Sequence, residues 1–222
     1  MKVERINHYK DLFLDHLQQH DLRGHEYMYE AQQIWQQQWD IEAIDLPSTY
    51  SKALTSSISG RLWGGSQNSA KESMEAMLNG SKEYMRSAFR DLLATEKDLG
   101  LRCDRFLFYC DEAIASVNVH KLDDHRHDRA VLSVYLAFTY PQLYTLYDHG
   151  LFANMMELLE ARNIPTDIEI ERYQKSMKAI HTIMAKDERW LPVIKEAIGE
   201  HYVDGSLLVM IDFARFVVST DK

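Results

Sequence analysis

Apolar residues recur along almost the whole chain at three- and four-residue spacing, the pattern of helices that bury one face. Ile6, Tyr9, Phe13 and Leu17 form the first stripe, which a polar turn at Asp21–Gly24 ends. A second helix is predicted from His25 to Trp39, with Tyr27, Ala31, Ile34 and Trp35 inward and Gln32, Gln33, Gln36 and Gln37 facing water or a partner. Asp45 reads as an N-cap with Pro47 in the first turn of a helix reaching Ser56. Gly- and Ser-rich Ser57–Ser69 interrupts the pattern as a loop carrying Trp63. The periodicity resumes over Ala70–Leu78 and again after Ser81, a cap for the stripe Met85, Ala88, Phe89 and Leu92.

The longest predicted helix is Lys97–Val119, striped by Leu99, Cys103, Phe106, Cys110, Ala113, Ile114 and Val117. From 129 to 139 the pattern changes, because Val131, Leu132, Val134, Tyr135, Leu136 and Phe138 cover most of the helix circumference. A helix apolar all round belongs at the centre of a bundle. Pro141 then restarts the chain, and further helices are expected over Leu151–Ala161, from Thr166 or Asp167 to Met184, from Leu191 to Glu200 and from Ser206 to Val218. The expected fold is all-α, a bundle of about nine to eleven helices around the central apolar helix at 129–139. It is read as a single helical domain over 1–222, with a hinge-like sub-boundary near 163–167.

Low Gly and Pro (9 and 4 residues) argue against an all-β fold with many tight turns. No apolar run is long enough to span a bilayer and no signal-peptide core opens the chain, so the expectation is a cytoplasmic protein with no membrane partner. Cys103 and Cys110 lie two helical turns apart, about 10.5 Å, too far for a disulfide, and are expected as reduced core thiols. A net charge of −9 disfavours phosphate-backbone binding without excluding a local basic patch, so DNA is a possible but disfavoured partner.

The densest chemistry is His120–Arg129, which packs three His, three Asp and three Lys or Arg into ten residues. With Asp124 as N-cap, its carboxylate meets the free amides of Arg126 and His127, and Asp128 in the first turn suits the helix dipole. His127 then lies one turn before Val131, partly under the core. Alternatively His120, Asp124, His125 and Asp128 form an oxygen and nitrogen cation site, or His125 acts as a general base. Elementary physics favours the charged start of a buried helix, and neither a metal nor another cofactor is assigned. His125, Arg126, Asp128 and Arg129 remain a candidate binding surface, together with Trp63, which either stacks on a ligand or plugs the core. His16 and His20 have helical chelate spacing without the Glu of a zinc-protease motif, and read as solvated surface. There is no nucleotide-binding Gly-Lys-Ser/Thr loop, no Gly-x-Ser-x-Gly and no Cys-x-x-Cys.

Three segments in order, HEYMYEAQQIWQQQWDIEAIDLPSTYSKAL, YMRSAFRDLLATEKDLGLRCDRF and DDHRHDRAVLSVYLAFTYPQLYTLYDHGLF, resemble the helical N-terminal region of McrB-type AAA+ NTPases, the motor subunits of 5-methylcytosine-specific restriction systems. The matching features are Trp39-Asp40 after an aromatic helix, the Leu93–Leu99 stretch, Asp128-Arg129-Ala130 opening an apolar helix, Tyr140-Pro141-Gln142-Leu143-Tyr144 closing it, and the tail SLLVMIDFARFVV. The resemblance covers most of 25–218 and rests on structural signatures. It implies a non-catalytic target-recognition or adaptor domain that sits on a hexameric AAA+ motor, in cis or in trans, and senses modified or foreign DNA in phage defence. The chain departs from the family in carrying no NTPase module and in having Asp148-His149 where Lys or an aromatic follows Tyr-x-x-Tyr. The rival expectations are a helical metal-dependent hydrolase using the 120–128 cluster, and a purely protein–protein adaptor.

Overall fold

A computed structural model describes residues 1–19, 22, 25–55, 69–117 and 124–220. Among them the chain forms eleven α-helices and no strand: α1 Val3–Gln19, α2 Glu26–Gln38, α3 Leu46–Ala53, α4 Ala70–Gly80, α5 Lys82–Leu92, α6 Leu99–Ser116, α7 Arg129–Thr139, α8 His149–Leu158, α9 Ile170–Met184, α10 Trp190–Ile198 and α11 Val209–Thr220. None is long and apolar enough to cross a membrane. The all-α bundle expected from periodicity is the fold observed.

Helix starts follow from short polar side chains that satisfy otherwise orphaned amides. Asp45, Asp98, Asp128 and Asp148 each accept the amide three residues on, from Ser48, Leu101, Val131 and Leu151. Ser69 and Glu72 form a reciprocal capping box on α4. Ser81 occupies the N-cap of α5 as expected, though its side chain makes no bond to the helix amides. The cap of α7 is Asp128 and not Asp124, because 124–128 is non-helical; Asp124 instead accepts the amide of Arg126 at 3.0 Å. The longest helix is α6, which begins at Leu99 because Asp98 caps it.

At the centre, α7 buries Leu132 through Phe138 without a break. Tyr135 meets Trp35 of α2, Phe89 of α5 and Phe106 of α6 at ring-centroid separations of 5.8, 5.2 and 6.1 Å. Its hydroxyl is 2.8 Å from that of Tyr50 on α3. A second aromatic group joins Phe13 of α1 to Phe213 of α11 and Trp190 of α10. Both groups belong to one apolar core running from Ile6 to Val217. Cys103 and Cys110 are free and buried in it, and burial pushes the Cys103 thiol up to about 12.

Helix α2 departs from its expected polarity. Gln32 is fully buried, and its amide donates to the Ala137 carbonyl at 2.8 Å while its oxygen accepts from the Ser206 hydroxyl at 2.7 Å. Gln36 also reaches the end of α7, donating to the Phe138 carbonyl, and Gln33 donates to Glu200. Two of the expected inward residues, Tyr27 and Ile34, are only half-buried, and Met28 and Tyr29 take the core positions. Of the face read as solvent or partner surface, Gln36 and Gln37 are exposed as expected, whereas Gln32 lies in the seam with α7 and the C-terminal region and Gln33 is half-buried at its edge.

Candidate functional site

The segment between α6 and α7 places its side chains alternately out and in: Asp124, Arg126 and Asp128 are exposed, while His125 and His127 are buried. Arg126 makes this possible by taking a left-handed conformation, φ 57°, which a residue with a Cβ adopts only at a cost of about 1–3 kcal/mol. The reversal brings both imidazoles to the interior side of the turn.

Their hydrogen bonds fix their protonation. His127 Nδ1 lies 2.6 Å from the His125 carbonyl, which can only accept, so that nitrogen carries the proton. The remaining nitrogen, Nε2, accepts from the Tyr135 hydroxyl at 3.0 Å, and Tyr135 in turn accepts from Tyr50. The His127 amide donates to His125 Nδ1 at 2.9 Å, which leaves the proton of that ring on Nε2, 3.1 Å from Asp111 Oδ1. Ser73 on α4 closes the turn by donating to the His125 carbonyl at 2.5 Å. Burial dominates the electrostatics. It pushes His127 down to about 3, so the ring is neutral at pH 7, and raises the hydroxyls of Tyr135 and Tyr50.

The sequence-predicted residues thus divide. His125 joins the buried network, Arg126 stands exposed beside Asp124, Asp128 caps α7, and Arg129 pairs with Asp104 at 2.8 Å. Asp124 and Asp128 point their carboxylates at backbone amides on the outer side and do not converge with the imidazoles. Trp63, His120 and His20 lie outside the described residues. What the structure groups instead is Cys110, His125 and His127, whose ligand atoms all lie within 4.8 Å of one another. A sulfur and two imidazole nitrogens suit a borderline-soft ion such as zinc. Cys110 escaped sequence reasoning because it lies on the apolar stripe of α6, where nothing distinguishes a ligand from a core thiol.

A second constellation was also missed. Asp212, buried on α11, accepts from the Tyr29 hydroxyl at 2.5 Å, lies 2.7 Å from His25 Nδ1 and meets Arg215 at 3.3 Å. His25, Asp212 and Arg215 edge a cleft of about 590 Å³ shared with Phe13, His16 and Phe216. An aspartate holding an imidazole can serve as an acid–base pair. The aliphatic hydroxyls lining the cleft, Ser219 and Thr220, are bonded back to the Phe216 carbonyl and are not presented as nucleophiles. The available signal was one aspartate interrupting the apolar run LLVMIDF.

No family model, curated protein or solved structure matches the chain.

Proposed function

We propose that the chain is a non-catalytic target-recognition or adaptor domain of a restriction-like, phage-defence AAA+ NTPase of the McrB type. The observation that carries this reading is the closure of the 124–128 turn: the ring nitrogens of His125 and His127 are engaged within the fold, and His127 is held neutral. Groups so engaged position a helix rather than abstract a proton from a substrate. The outer face of α6 supports a protein partner. Leu101 and Phe108, two turns apart on that face, are 59% and 56% exposed. We take the motor module as the occupant of that face, with a net charge of −9 favouring a protein over duplex DNA as the direct contact.

The test is co-elution of the purified chain with its motor in size-exclusion chromatography. The paired substitution Leu101→Asp and Phe108→Asp, both at the surface, should abolish co-elution without changing the circular dichroism spectrum. Unchanged co-elution of that variant would refute the docking face. A shift of duplex DNA by the chain alone, weakening with salt, would make recognition direct.

The grouping of Cys110, His125 and His127 favours one second reading, a metal centre. It expects a divalent ion retained in stoichiometric amount on purification and a hydrolytic activity lost on chelation. Protein that neither retains nor takes up an ion disposes of it.

A further inference from the structure

The overall negative charge conceals a local reversal. Where the start of α6 meets α9 and the segment after α7, a pocket of about 240 Å³ is lined by Lys97, Arg102, Lys175 and Lys178, with Glu171 as the one carboxylate among its described lining residues. Leu99 and Leu143 supply apolar wall, and Tyr144 contributes a hydroxyl.

Arg102 is the unusual member. It is 1% exposed, yet its partners are neutral: one terminal nitrogen donates to the Leu92 carbonyl at 2.5 Å and the other to the Tyr144 hydroxyl at 3.0 Å. Its Nε–H has no hydrogen-bond partner among the described residues. Among the described residues no carboxylate forms an ion pair with it: Asp104 pairs with Arg129, and Asp98, whose carboxylate feels the Arg102 charge at longer range, holds the Leu101 amide at the cap of α6. Taking a guanidinium out of water costs several kcal/mol, and two neutral acceptors offset only part of that. What Arg102 lacks is a directly bonded anion. Tyr144, having accepted from Arg102, still has its own proton to donate. Lys97 and Lys175 are tethered at the rim by Asp91 at 2.8 Å and Glu171 at 2.6 Å, so their charges stay at the mouth.

We propose that this pocket binds a small phosphorylated molecule through one phosphate group, with the Arg102 guanidinium as its floor and Lys97, Lys175 and Lys178 as its rim. A guanidinium with an unpartnered Nε–H suits an oxyanion, and the rim lysines complete the charge. The volume admits a phosphate with part of the group it esterifies, whereas the backbone of a duplex would need a continuous basic track.

The probe is inorganic phosphate, titrated into the full chain by calorimetry and thermal unfolding at ionic strength held constant with chloride. Saturable binding at one site and a raised Tm are expected. The paired substitution Lys175→Ala and Lys178→Ala, at exposed positions, should weaken binding by about tenfold or more. Arg102→Lys, which keeps the charge and loses the planar fork, should weaken it further. Competition by ADP or ATP at lower concentration than phosphate would identify a nucleotide as the source, and equal competition would identify the free anion. The proposal is overturned if phosphate shows no saturable binding, if the lysine variant binds as well as the parent, or if only duplex DNA competes.

Discussion

At the scale of single residues, the interior is organised by polar groups that carry specific partners. His127 is the case with a measurable consequence. Its folded-state value is pushed down to about 3 by burial, against about 6.5 for a free imidazole. The unfolded chain therefore binds the extra proton between those limits, so stability is complete above about pH 6.5 and falls as pH drops toward 3. This residue should contribute a slope of up to about 1.4 kcal/mol per pH unit in that window. Urea unfolding at pH 7 and pH 5 measures it. His127→Gln, which retains a donor and an acceptor, should be less stable at pH 7 but show a shallower pH dependence; an unchanged slope would contradict the assignment. That His127 sits under the core was legible from its place one turn before Val131. The burial of Gln32 was not, because a glutamine among glutamines has the same periodicity whether it meets water or the Ala137 carbonyl.

At the scale of elements, the pattern of apolar residues located the helices well and their ends less well. The central helix was readable to the residue, since seven consecutive buried positions from Leu132 to Phe138 leave no polar face to misplace. Its cap was less so, because Asp124 and Asp128 are both plausible acceptors and only the left-handed Arg126 decides between them. Asp128→Ala should destabilise the protein by about 0.5–2 kcal/mol through loss of the Val131 bond. Asp124→Ala, which removes a bond to one turn amide, should cost less. Thermal melts of the two variants side by side check the order, and a larger loss at Asp124 would return the cap to that residue. The described members of the alternative cation site, Asp124, His125 and Asp128, do not converge, for the same local reason. Alternating exposure sends the carboxylates outward and the imidazoles inward.

At the scale of the whole molecule, the sites come from pairings that no linear pattern announces. Cys110 meets the histidine turn, Tyr29 and His25 meet Asp212, and Arg102 meets Tyr144, each across a separation set only by the packing of the bundle. Composition gave the correct sign for the average surface, and it missed the cationic pocket because a net charge does not report distribution. The same closure links the beginning and end of the chain. Helix α2 is bonded to Ala137, Glu200, Ser206 and Asp212 through Gln32, Gln33 and Tyr29.

Those bonds have a bearing on biosynthesis. Contacts so distant in sequence form only after most of the polypeptide has left the ribosome, and loops that long close slowly. Nascent chains arrested near residue 200 should remain open to brief protease digestion over their first fifty residues, and emergence of α11 from the ribosome should close that window abruptly. Early resistance of that stretch would mean that α1 to α3 settle without the helices they are later joined to.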